Sequence, residues 1–386
     1  MPSAEKEEQE GPRRMLHKRP SRLRRLSWKV VDAYDNTNWL HIAFKVFAYT
    51  YIALNLWVAW QILPLAGHWD PPVQSDKVPF VYQDHSNYFG SFNGVAECGI
   101  EANDLYEPAQ HHKSGQADHG VFCANRKSLL RAMSEGGRVG FDAPYTPKDC
   151  SYRWYTVEEM CFILHRFDAI VFVGDSFLQS VYSGFNILLR RDLASGAMKM
   201  DLDNCRCDLQ FINPDCKREL VHSSEDAGGF WCKPKPHALL ALHTFPAPAD
   251  TITKFKKLVP YAPRSRYQPI AIIHSISPST MPHDVASQSL VEFLNLADQS
   301  KRKTPMLWIG PIAPGHIDIK NRKGNQEIWD FDTNMAKVAS QNDIDVLHMW
   351  NLTVQATSHD GLHFGEKVAI TQAMMVINWL SRLPSS

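Results

Sequence analysis

An α/β fold, with a parallel sheet covered by helices on both faces, is what the sequence predicts for the C-terminal half of this chain. Two observations carry the prediction. Short, wholly apolar runs recur after residue 167, and helical stretches of mixed polarity separate them. Strand–helix alternation of this kind builds a three-layer α/β/α domain, because each strand is buried on both sides. A third observation stands apart from that fold: one long uncharged stretch near the N-terminus.

Residues 168–173, DAIVFV, read as the first buried strand. Residues 177–193 follow with Leu178, Val181, Tyr182, Phe185, Leu188 and Leu189 at helical spacing, which defines one apolar face. Further strands are expected at 270–274, 306–309 and 346–349, with helices at 287–298, 326–341 and 367–383. Residues 200–260 are rich in Cys and Pro, resist assignment, and read as an insertion. Residues 67–137 read as a Pro-containing stem and an irregular lobe held by disulfides. The compact domain is expected to span 138–386.

The uncharged stretch is 46–66, VFAYTYIALNLWVAWQILPLA. At 1.5 Å rise per residue such a helix spans a hydrocarbon core of roughly 30 Å. Tyr49, Tyr51, Trp57, Trp60 and Trp69 are aromatics of the kind found at membrane interfaces. Residues 1–45 carry the basic cluster Arg13, Arg14, Lys18, Arg19, Arg22, Arg24, Arg25 and Lys29. The positive-inside rule holds that tail in the cytosol and sends the rest across, so the stretch reads as a type II signal anchor. About 45 polar residues precede it, which argues against a cleaved signal peptide.

The 8 cysteines, Cys98, Cys123, Cys150, Cys161, Cys205, Cys207, Cys216 and Cys232, all follow the span. Their even number suits an oxidising lumen, and their connectivity is not readable. A zinc site built from Cys205, Cys207, Cys216 and Cys232 is the competing reading, but Cys-x-Cys is not the usual zinc spacing, and no metal is expected. One glycosylation acceptor triplet, Asn351-Leu352-Thr353, would also be luminal. Lys+Arg and Asp+Glu both number 41, so no charge imbalance points to nucleic acid.

Gly174-Asp175-Ser176 lies between the first strand and its helix. In open parallel sheets ligands bind at the carboxyl ends of the strands. Ser176 therefore stands where a nucleophile is presented, and the helix N-terminus favours a developing oxyanion. Asp360-Gly361-Leu362-His363 precedes the last helix. An Asp three residues before a His can supply both a base for the serine and the carboxylate that orients it. Each motif alone has a plain structural reading, the serine as a helix N-cap and the aspartate as a cap on the final helix.

The pair resembles the SGNH, or GDSL, hydrolase superfamily, which has a flavodoxin-like fold. The closer likeness is to its PC-esterase branch, which includes glycan O-acetyltransferases and fungal membrane proteins. Gly140-Phe141-Asp142-Ala143-Pro144-Tyr145, Arg153-Trp154-Tyr155 with Glu158-Glu159, Trp350-Asn351 and the run from Ala373 to Leu380 carry it. The resemblance implies Ser176 as nucleophile, with His363 and Asp360 completing a triad. It implies supporting or oxyanion roles near Gly174 and Asp175. It also implies an oxyanion Asn after a middle strand, and here none follows 270–274; His274, Ser275 or Ser277 are the substitutes on offer. Gly228 and Gly229 are candidates for a second donor, and His316 in Ala313-Pro314-Gly315-His316 for a site-lining residue.

The activity so implied is O-acyl transfer, with acetyl as the expected group, to a luminal glycan in the Golgi or ER. No bound cofactor is expected; acetyl-CoA or a secondary donor would be co-substrate, and a multispan partner would bring the acyl group across. A carbohydrate or lipid esterase with the same triad, and a catalytically weakened binding protein, are the alternatives. Topology is directly testable. In sealed microsomes, protease should digest the N-terminal tail and spare everything after about residue 67; digestion of the C-terminal domain would overturn the orientation.

Overall fold

The computed structural model describes residues 39–66, 87–113, 116–119, 121–223, 226, 232, 236–263, 267–317 and 323–384. The basic cluster and the stem at 67–86 lie outside these. The first helix, α1 (Trp39–Ala66), begins before the predicted span and is long and apolar enough to cross a membrane. Two of its polar side chains, Thr50 and Asn55, are satisfied locally. Thr50 Oγ1 donates to the Val46 carbonyl at 2.9 Å and Asn55 Nδ2 to that of Tyr51 at 2.7 Å, which lowers the cost of polar atoms in an apolar surround.

The remaining described residues form one compact unit. Two longer helices, α2 (Arg126–Glu135) and α3 (Val157–Leu164), precede the sheet among the described residues, each opened by a reciprocal capping box, from Asn125 and from Thr156. The sheet strands are β1 (Ala169–Gly174), β2 (Pro236–Leu239), β3 (Ile270–Ser275), β4 (Met306–Ile309) and β5 (Asp345–Leu347). All pair in parallel, in the order β2-β1-β3-β4-β5. This is the flavodoxin-like order, with its switch point between β1 and β3. The register sets Ala169 against Ile270 and Gly174 against Ser275.

Side chains alternate between two cores, as strand geometry requires. Ile170, Phe172, Ala271, Ile273 and Leu307 face α4 (Ser176–Arg190) and α8 (Glu366–Ser381). Val171, Val173, Ile270, Ile272 and Trp308 face α5 (Ala249–Leu258), α6 (His283–Gln299) and α7 (Asn325–Gln341). The first core continues into α2, α3 and the aromatic residues Tyr106, Tyr152 and Trp154. The Cys-containing lobe is thus packed into the same core as the sheet, although it has little regular structure.

Residues 200–260 are not wholly an insertion. They supply edge strand β2 and helix α5. The strand is four residues long and begins with Pro236, which is tolerated because it occupies an edge. All eight cysteines pair, as Cys98–Cys207, Cys123–Cys150, Cys161–Cys232 and Cys205–Cys216. The four cysteines of the zinc reading are therefore spent on three of these bonds.

His274, on β3, takes the same face as Ile270 and Ile272. It is fully buried, its ring 5.7 Å from that of Trp308 and from that of Phe293. Neither ring nitrogen has a hydrogen-bond partner, and burial pushes its pKa down to about 3. The folded protein holds this imidazole neutral, whereas the unfolded chain takes up a proton below its ordinary 6.5. Stability is therefore lost as pH falls from that value towards the depressed one. His274→Phe should flatten this loss. Its unfolding midpoint should drop less than the parent's between about pH 7 and pH 5; equal drops would show that His274 does not set the acid sensitivity.

Candidate active site

Ser176 is the first residue of α4, reached directly from β1 across Asp175. The turn is tight. A Cβ on Gly174 would lie 2.1 Å from the Ser275 carbonyl oxygen, so only glycine fits beside β3 there. Asp175 is wholly buried and fixes the turn. Its Oδ1 accepts from the Phe177 N–H at 3.0 Å; its Oδ2 accepts from the Ser277 N–H at 2.8 Å and from Thr280 Oγ1 at 2.6 Å. Burial raises its pKa, and these hydrogen bonds oppose the rise. Because Asp175 takes the Phe177 N–H, the Ser176 N–H remains at the helix start without an intrahelical acceptor. It is the donor best placed for an oxyanion on a group attached to Ser176.

The second arm is the loop before α8. Asp360 Oδ2 accepts from His363 Nδ1 at 2.7 Å, while Oδ1 accepts from the N–H groups of Leu362 at 2.9 Å and His363 at 2.6 Å. Gly361 between them sits at φ 73°, a conformation that suits glycine. Burial would raise the Asp360 pKa, but the hydrogen bonds from Leu362 and His363 outweigh it and hold the carboxyl well below the usual range. Asp360 therefore stays ionised and selects the Nδ1–H tautomer of His363. That leaves Nε2 as the nitrogen available to a serine.

This loop is braced from three sides. Ser358 Oγ donates to the His363 carbonyl at 2.7 Å, and the Gly315 N–H to the Gly361 carbonyl at 3.0 Å. Asp142 accepts from the Thr357 N–H at 2.6 Å and from its hydroxyl. Asp142, in Gly140-Phe141-Asp142, thus clasps the segment that leads into the Asp360–His363 loop, a contact 215 residues apart in sequence. Lys217 Nζ lies 3.4 Å from Asp360 Oδ2 and 3.5 Å from His363 Nδ1.

Ser176 and His363 line one cavity of about 850 Å³, together with Lys217, His222 and His243. Among the described residues no hydrogen bond joins Ser176 to His363; such contacts often close only when substrate binds. The other sequence candidates are elsewhere. His274 is in the core behind the sheet, so its ring cannot reach an oxyanion in this cavity. Ser275 is buried against Gly174 and does not line the cavity. His316 is exposed, its ring edge-on to Phe141 at 5.3 Å. Ser277 serves Asp175 through its backbone. Gly228 and Gly229 lie outside the described residues. Lys217, His222 and His243 were not singled out in the sequence, because they belong to the stretch that shows no periodicity.

The fold and site define a doubly wound α/β protein with a serine at the switch point and an Asp–His pair across the cavity. No family model matches the chain, and no curated protein matches it. Among solved structures it is similar to the native aryl esterase of M. smegmatis, at 13% identity and a TM-score of 0.32, over 54% of this chain and 96% of that one.

The geometry separates His363 from its neighbour. His359 Nε2 lies 2.9 Å from Asp208 Oδ2, so His359 faces away from Asp360. Asp360→Asn should keep the fold and lower turnover of a p-nitrophenyl ester by roughly 10⁴, through loss of the tautomer. His359→Ala should be mild in the same assay. The opposite ranking would reject the Asp360–His363 assignment.

Proposed function

We propose that this protein is a serine-nucleophile acyl-transfer enzyme that acylates a glycan hydroxyl in the lumen of the Golgi or ER. The observation that carries the reading is the single cavity that holds Ser176, at a helix N-terminus, with His363, which is hydrogen-bonded to Asp360. In the first half-reaction His363 Nε2 takes the Ser176 hydroxyl proton and Oγ attacks the donor's acyl carbon. The tetrahedral oxyanion forms beside the Ser176 N–H. It collapses to an acyl-serine, and the departing group takes the proton back from His363. In the second half, His363 deprotonates the acceptor hydroxyl, which attacks the acyl carbon. Ser176 Oγ leaves and recovers that proton. The resemblance to glycan-modifying enzymes favours a sugar as acceptor, and the disulfides together with α1 fit a membrane-tethered domain in an oxidising compartment. An acyl donor such as acetyl-CoA would be a co-substrate, supplied by a partner with several spans.

An esterase is the second reading. Ser176 is exposed, so water can reach the acyl-enzyme as a sugar hydroxyl can, and the two reactions differ only in that acceptor.

Intact-mass analysis of the full-length protein after incubation with p-nitrophenyl acetate tests the proposal. One acetyl adduct should appear, map to Ser176, and vanish in Ser176→Ala. Adding an oligosaccharide should clear the adduct into O-acetylated sugar rather than free acetate. Acetate alone would establish the esterase, and no adduct in the wild type would remove the covalent mechanism.

A further inference from the structure

A second cavity, of about 590 Å³, lies at the other edge of the sheet. The Ser176 cavity borders β2, whereas this one borders α7 and the segment that follows β5. Trp329 projects into it from α7 and is 49% exposed. Its ring meets that of Trp350 edge to face, at 5.6 Å and 84°. A large aromatic left half open beside a cavity offers an apolar platform to a ligand.

Polar groups surround the platform. His348 Nδ1 lies 2.7 Å from Asp332 Oδ2, and the Asp332 side chain is 4% exposed. Its Oδ1 is buried with no hydrogen-bond partner. The hydrogen bond from His348 raises the imidazole pKa despite burial, and the pair holds the ring with its other nitrogen free of this contact. Thr333, also on the cavity, is exposed one residue further along α7. Asn351 Nδ2 donates to the Ser134 carbonyl at 3.1 Å, which fixes the amide in the cavity wall. An aromatic face ringed by hydroxyl, imidazole and amide groups matches the chemistry of a pyranose, with its apolar C–H face and its rim of hydroxyls.

The acceptor triplet Asn351-Leu352-Thr353 gains a different role from the same contacts. Thr353 is buried, its Oγ1 accepting from the Ala313 N–H at 2.9 Å, and Asn351 already holds Ser134. In the folded chain Asn351 belongs to the cavity wall and Thr353 is buried behind it.

We infer that this cavity is a carbohydrate-binding site distinct from the pocket of Ser176, with Trp329 stacking on a sugar ring and Thr333, His348 and Asn351 meeting its hydroxyls. The inference stands on the cavity alone, whatever acceptor Ser176 uses. Full-length protein in nanodiscs, titrated calorimetrically with xylohexaose, mannohexaose and cellohexaose in turn, tests it. The wild type should bind at least one of these. Trp329→Ala and Thr333→Arg, the second filling the cavity, should each weaken that binding by roughly tenfold or more. Thr333 is exposed, so Thr333→Arg should keep the parent's unfolding midpoint. Binding is read without turnover, so failure of the Ser176 chemistry would leave this result untouched. Absence of binding to all the oligosaccharides, or unchanged affinity in both variants, would overturn the site.

Discussion

The buried carboxylate of Asp175 is the contact on which the rest of the site depends. It ties the β1–α4 turn to the loop after β3 through the Phe177 N–H, the Ser277 N–H and the Thr280 hydroxyl. A buried carboxylate is costly unless it is hydrogen-bonded, and three donors meet that requirement here. Because two of them come from the neighbouring strand's loop, the crevice of the switch point is closed on one side by a fixed network. Ser176 follows directly and inherits that rigidity. A serine held this way would lose little orientation entropy in the proposed reaction.

The opposing arm is built by different means. Its geometry is local, an aspartate that folds its own loop by accepting two backbone N–H groups and the imidazole. Its position is set by distant residues, chiefly Asp142 and Gly315. Below it, α8 lies almost wholly buried against α4, and Asn378 on α8 grips both backbone groups of Arg153. The stretches around Asp142 and Arg153 therefore carry framework duties for the Asp360–His363 loop and the helix that follows it.

The strands β1, β3 and β4 and the helices α4 and α8 were legible in the sequence because each is apolar enough to declare its period. Ser176 and the Asp360–His363 pair were legible because their spacing is local. Strand β2 was not: Pro236-His237-Ala238-Leu239 is short and opens on proline, and its strand character comes from pairing with β1. Helix α2 was missed because its charged residues mask a modest apolar face. His274 misled for a related reason. It ends an apolar run at the level of the site, but strand alternation turns its ring to the far core. Lys217 is placed beside Asp360 by tertiary folding of a segment with no period of its own.

The disulfides also bear on how the chain must be made. Cys98 waits for Cys207, 109 residues later, while Cys123 and Cys150 emerge between them and belong to each other at a separation of 27. Cys161 likewise waits 71 residues for Cys232, and within that interval Cys205 must find Cys216. Where the chain enters an oxidising compartment as it is made, Cys98 would meet Cys123 before its own partner exists. The first bond open to it there is a non-native one, which thiol–disulfide exchange would have to undo if it formed. Maturation of this protein is therefore expected to depend on a disulfide isomerase, with the last of the four bonds possible only once Cys232, just ahead of β2, has been translated.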